Sequence, residues 1–349
     1  MNAGTSHPFD WDATRHRAGV LAPPGPAVER RDAVALVDSL RRAAQQAPDV
    51  VARVTGLVDA ADAASRRPAY VVDRPRWADA NTTMFAELIG EQLPLPSSAI
   101  GARLAAEQLG ALLALLATRV LGQFDPFTAQ PDGPGRLLLV APNILASQRQ
   151  LGVPAQEFHL WVCLHEQTHA VQFSAAPWLA GHLRSKMTSV SESIARPDDR
   201  RLQDLLQALP QVVTRREVEA TSSGPLLGAV LSDEDSQTLA EVLAVMALLE
   251  GHADVVMDEA GPAVIPSVAS IRNGFEARRD SRSLLDLLLR RLLGLDAKLA
   301  QYRDGAAFVR GVTGRVGHDG LNAAWSDPQN LPQPAEIADP AAWVRRVHG

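Results

Sequence analysis

The stretch from Phe158 to Phe173 reads FHLWVCLHEQTHAVQF, and its interpretation decides the rest of the chain. Apolar residues fill most of its positions, so it reads as a helix buried in a core. Into that surface it sets His165, Glu166 and His169, an H-E-x-x-H pattern. Four residues is slightly more than one helical turn, so the two imidazoles lie about 40° apart on one face. That separation lets both bind one Zn²⁺, at roughly 2.0–2.1 Å. Glu166 is turned about 100° from His165, close enough to take a proton from a metal-bound water without entering the coordination sphere. Such a pattern is expected by chance on the order of 0.01 times in a chain of this composition. Two histidines and a glutamate in an apolar helix are costly unless hydrogen-bonded or metal-bound, so a pair of merely structural histidines is the poorer explanation.

A catalytic zinc needs a third protein ligand. A histidine six residues after His169 is ruled out because Ala175 stands there, with Gln172 where that longer motif has glycine. The other arrangement takes a glutamate from a second helix, followed four residues later by an aspartate. Two pairs have this spacing, Glu250/Asp254 and Glu276/Asp280. Glu276 sits among charges in FEARRDSRS, as on a solvated helix face. Glu250 instead shares an apolar stripe with Leu243, Met246, Ala247 and Met257, where an ionised carboxylate needs a partner. Glu250 is therefore the expected third ligand, with Asp254 one turn on to accept the outer N–H of a ligand histidine, His165 foremost. His252 points about 200° away from Glu250 and is left as a possible cleft residue. His182 is a weaker rival ligand.

Outward from these helices, apolar spacing predicts further helices over about 32–64, 77–89, 99–121, 178–195, 199–208 and 280–300. Strands are expected at Tyr70–Val72 and at Arg136–Val140, RLLLV, which follows the turn signal Pro131-Asp132-Gly133-Pro134-Gly135. No repeat or long linker divides the chain. The expected organisation is a polar N-terminal segment, residues 1–30, lying over the surface, and a single unit from 31 to 349. Its fold class is α+β and predominantly α-helical, with a small sheet packed on the H-E-x-x-H helix. Leu137–Val140 is the expected edge strand, able to hold an extended peptide by strand addition.

Composition excludes several functions. A formal charge of −6 argues against binding driven by nucleic-acid phosphates. Cys163 is the single cysteine, so neither an internal disulfide nor a cysteine metal cluster can form. The most apolar run, Leu109–Ala117, is far short of the ~20 residues of a membrane span, and the first residues lack the pattern of a signal peptide. The expectation is a soluble, cytoplasmic protein without membrane or nucleic-acid partners.

HEQTHAVQF with APWL, LLEGHADVVMD, RVGHDGLNAAW, NLP and AEIADPAAWVRRV resemble the zincin-like metallopeptidases of type 2. VVDRPRWADAN at 71–81 and VAPNI at 140–144 extend the likeness over most of the chain from about residue 70. These are actinobacterial proteins often labelled coenzyme F420 biosynthesis-associated, a label that rests on genomic association and names no reaction. The resemblance implies a zincin-like core and a zinc hydrolase with His165 and His169 as ligands and Glu166 as base. It also implies that the family's E-G-x-x-D segment falls on Glu250, Gly251 and Asp254. The functional expectation is a zinc-dependent metallopeptidase acting on a peptide or protein, in which Glu166 activates the attacking water. The alternative is a zinc-containing binding or assembly protein with little turnover. A free carboxylate beside an open metal position favours the enzyme.

Overall fold

The computed structural model describes residues 9–89, 99–130, 135–195, 233–278 and 305–349. In chain order the helices are α1 (Trp11–Leu21), α2 (Arg30–Thr55), α3 (Val58–Ser65), α4 (Arg74–Ile89), α5 (Ala99–Leu116), α6 (Ala141–Leu151), α7 (Ala155–Ala175), α8 (Leu179–Ala195), α9 (Asp233–Val264), α10 (Val268–Arg278), α11 (Gly305–Leu321) and α12 (Pro340–His348). The strands are β1 (Ala69–Val72), β2 (Gly122–Asp125) and β3 (Arg136–Val140). Helix dominates, and the small sheet packs on α7, as the α+β reading expects. The helices expected over 199–208 and 280–300, and Asp280, lie outside the described residues.

Leu137 to Val140 are all buried, as a continuous apolar run requires. The sheet is built around them, in the order β1-β3-β2. β1 pairs with β3 in parallel, Ala69 opposite Leu137, and β2 pairs with it antiparallel, Gly122 opposite Leu139. This corrects the expectation that Leu137–Val140 is the edge: β3 is central, and its backbone groups are taken on both sides. The edge beside α7 is β2, whose sequence GQFD carries no alternation to announce it. Side chains pin it from outside. Gln123 and Asn81 exchange amide bonds at 3.0 Å each. The buried Asp125 carboxylate takes Arg136 Nε at 3.0 Å and the backbone N–H groups of Phe127 and Thr128.

The N-terminal segment contributes more than surface. α1 buries Ala13, Thr14 and Ala18 against α5. The helices meet at Gly110, where a Cβ would stand 2.6 Å from the Thr14 carbonyl oxygen. Thr14 Oγ1 donates to the Ala106 carbonyl at 3.0 Å, and Arg103 pairs with Asp10. By length and composition alone α5 could cross a membrane. Here its Ala102, Ala106, Leu113 and Leu116 are buried within the fold.

α7 forms the centre of the larger core, with Phe158, Val162, Leu164 and Val171 buried against α2, α3 and the sheet. α9 crosses it on one side and α11 packs behind α9. That second crossing depends on glycine: a Cβ on Gly251 would run into the Gly305 backbone, and one on Gly305 into the Ala247 carbonyl. Gly251 is the residue after Glu250, so the close approach helps fix the carbonyls and side chains of α9 that face α7. Gly251→Ala is expected to lower stability by about 1–3 kcal/mol through overpacking, read as a drop in denaturation midpoint at unchanged m-value.

His159, near the start of α7, is buried with Nδ1 2.8 Å from Ser39 Oγ of α2. Burial pushes its pKa down to about 4. The unfolded chain therefore binds this proton first, so the stabilisation is complete above pH ~6.5 and is lost as the pH falls toward 4. His159→Gln is expected to flatten the acid limb of the stability curve by about 1.4 kcal/mol per pH unit in that window, measured by urea titrations at stepped pH.

Candidate metal centre

Local sequence explains why α7 can present its polar groups to order. Pro154 precedes its first turn, and Pro177 stands two residues beyond its last, so the helix is bounded at both ends. Glu157 in the first turn favours the positive helix end and accepts the Ser267 N–H at 2.7 Å, tying α7 to the start of α10. Between these anchors His165 and His169 stand edge to face, ring planes at 88°.

Glu250 reaches them from α9. The three side chains form a triangle, with Glu250 offering a different carboxylate oxygen to each ring: 3.3 Å between the imidazole Nε2 atoms, 3.5 Å from His165 Nε2 to Glu250 Oε2 and 3.8 Å from His169 Nε2 to Glu250 Oε1. Tetrahedral ligands about 2.0–2.1 Å from one zinc are themselves roughly 3.3 Å apart, so the triangle fits that ion. Two imidazoles and one carboxylate are also a donor set suited to catalytic zinc. All the candidate ligand atoms lie within 4.8 Å of one another. The triad expected from sequence, His165, His169 and Glu250, is thus brought together.

Glu166 lies beside the triangle, almost fully buried against β2. A Cβ on Gly122 would stand 2.6 Å from Glu166 Cγ, so the glycine leaves space that this side chain uses. Its carboxylate accepts the Phe124 N–H. Burial is the main cause that pushes its pKa up to about 7; His165 opposes the rise, Glu250 adds to it by like charge, and the Phe124 bond lowers it. On the triangle itself, burial disfavours a charge on His165, yet its bond to Glu250 and the nearby carboxylates outweigh burial and raise its pKa to about 9. His169 moves the other way, lowered chiefly by burial.

Two expected residues sit differently. His165 Nδ1 faces Met257 Sδ at 3.3 Å, where the spacing argument expects the Asp254 carboxylate. Asp254 acts on His165 through its charge, and its backbone carbonyl accepts Arg272 Nη2 at 2.8 Å. Helical spacing puts 254 and 257 on neighbouring sides of α9, and side-chain reach decides between them. His252 does not line a cleft. It is completely buried behind His169, its ring 5.4 Å from that of Trp325, and burial pushes its pKa down to about 3. His182 stacks edge-on against Trp178 and joins no ligand group among the described residues.

Two contributors escaped the sequence reading. Phe124 lies on a strand that pattern does not reveal. Gln172 was noted only as a departure from glycine, yet its Oε1 lies 2.9 Å from His169 Nδ1. The available signal was burial: an amide three residues from a histidine on an apolar helix must find a partner.

The sequence profile of the zincin-like metallopeptidase family matches residues 9–344. No curated protein sequence matches the chain. Among solved structures, the chain is similar to a protein from Chloroflexus aurantiacus described as a "putative hydrolase with a novel fold". The two share 28% identity over 97% of this chain and 99% of that one, with a TM-score of 0.66.

The geometry sets an expected stoichiometry. Protein purified without added metal is expected to carry about one zinc per chain by elemental analysis, and His165→Ala/His169→Ala to carry essentially none. Glu250→Ala, leaving two imidazoles, is expected to lose zinc to a chelator that the wild type resists.

Proposed function

The chain belongs to the zincin-like metallopeptidase family, and from that premise we propose that it is a zinc-dependent peptidase with Glu166 as its general base. The observation that carries the reading is the placement of Glu166: a carboxylate buried against β2 at the rim of the ligand triangle. A structural zinc site has no use for such a group, whereas a carboxylate beside an open metal position can take a proton from water and return it. His165, His169 and Glu250 would hold the ion, which supplies acidification of water and polarisation of a carbonyl. Glu166 takes the proton of the attacking water and delivers it to the departing amine as the C–N bond breaks.

Substrate binding follows from the sheet edge. Val140 N–H donates to the Leu121 carbonyl, and ladder bonding then recurs at Gln123 and Asp125. Gly122 and Phe124 consequently turn their backbone groups away from β3, toward Glu166. An extended peptide lying along β2 could pair with Gly122, which places its scissile carbonyl beside the triangle. Phe124 is held in turn by the Phe173 ring, 5.7 Å away, and by the Arg67 guanidinium, 5.8 Å from its ring centre.

Glu166→Gln is expected to retain zinc and fold while lowering hydrolysis of a broad peptide library about 10²–10⁴-fold, because the amide cannot accept the proton. An activity surviving within threefold would remove Glu166 from the role of base. A wild type that binds zinc yet cleaves nothing would favour the binding or assembly reading.

A further inference from the structure

Gln172 is buried one turn past His169, and its amide is used completely. Its Nε2 lies 2.9 Å from the Leu249 carbonyl oxygen and 3.0 Å from His252 Nδ1. Its Oε1 lies 2.9 Å from His169 Nδ1. The Leu249 carbonyl can only accept, so the group facing it must be the NH₂ end of the amide. The orientation of Gln172 is therefore set by the backbone of α9, leaving its oxygen toward His169. An amide oxygen can only accept, so His169 Nδ1 must carry the proton. The lone pair of His169 then resides on Nε2, the atom that faces His165 and Glu250. By the same logic His252 Nδ1 accepts from the amide, and this ring is neutral with its proton on Nε2.

We infer that Gln172 is the positioning residue of the metal centre: keyed by the Leu249 carbonyl and His252, it holds His169 in the Nδ1–H tautomer that leaves Nε2 free to ligate. This rests on the reading of the triangle as a zinc site. The arrangement couples the two ligand helices, because Leu249 precedes Glu250 on α9. The residue that delivers the third ligand and the carbonyl that orients the second are consecutive. It also gives a purpose to the RVGHDGLNAAW segment. Trp325 packs on His252 at 5.4 Å, and His318, 6.4 Å from His252, is anchored to Glu259 at 2.7 Å. This segment backs the histidine that Gln172 bonds.

Gln167 provides the matched control. It is buried on the same helix, and its amide donates to the Ala44 carbonyl at 3.0 Å, away from the ligands. Zinc affinity by competition with a chelator is expected to fall about 10–100-fold in Gln172→Leu and to change less than threefold in Gln167→Leu. Cobalt(II)-loaded Gln172→Leu is expected to show altered visible bands, with Gln167→Leu matching the wild type. If Gln172→Leu matches Gln167→Leu in both measurements, the positioning role fails while the zinc site stands. If the wild type binds no zinc, or His165→Ala/His169→Ala keeps it, the zinc reading itself fails. Should Gln172→Leu not fold, ¹⁵N-histidine NMR of the zinc-loaded wild type decides the matter. An Nδ1–H signal for His169 is expected, and an Nε2–H signal would overturn the inference.

Discussion

A helix packed into a core that carries two half-buried histidines beside a buried glutamate and glutamine is stable only if these polar heads are met from outside. The rest of the molecule supplies those partners. α9 brings Glu250 to both imidazoles, the Leu249 carbonyl and His252 to Gln172, and Met257 to His165. β2 brings the Phe124 N–H to Glu166. Gly122 is small where β2 meets Glu166, and Gly251 is small where α11 packs on α9. The fold is in this sense organised by the needs of one helix, and the chemistry of the site arises from the same groups that satisfy them.

The division between what the sequence revealed and what it concealed follows from the reach of pattern arguments. The His165/His169 pair is a matter of helical spacing within one element, which a sequence carries directly. Glu250 was recognisable because a carboxylate in an apolar stripe demands a partner. β3 announced itself as a continuous apolar run, but such a run says only that a strand is covered, and the central position of β3 follows from pairing that no local pattern encodes. β2 is invisible to pattern: four residues, GQFD, without alternation, held by the Asn81 amide from a distant part of the chain and by Arg136 of the neighbouring strand. α1 escaped because it buries alanine and threonine and makes no apolar stripe. Asp254 and Met257 lie three residues apart on α9, and only side-chain packing decides which meets His165 Nδ1. Gln172 stands where the longer zinc motif has glycine, and its part in the site shows only as a buried amide in need of partners.

The protonation pattern of the site has a common origin. Burial alone disfavours charge on every group, and lowers His169 and His252 accordingly. His165 departs from the pattern because Glu250 bonds it directly, and Glu166 rises because it is both buried and close to a second carboxylate. A cation on the triangle would displace the proton of His165 and favour the ionised form of Glu166. One binding event would thus convert a stored ion pair into a charged base beside an electrophilic centre.

The central claim is that two imidazoles of α7 and one carboxylate of α9 form a single zinc site. X-ray absorption at the zinc edge, on protein purified without added metal, tests it most directly. The account predicts a shell of nitrogen and oxygen at roughly 2.0–2.1 Å with the multiple-scattering signature of two imidazoles. A shell containing sulfur at roughly 2.3 Å, or one without imidazole scattering, would contradict it.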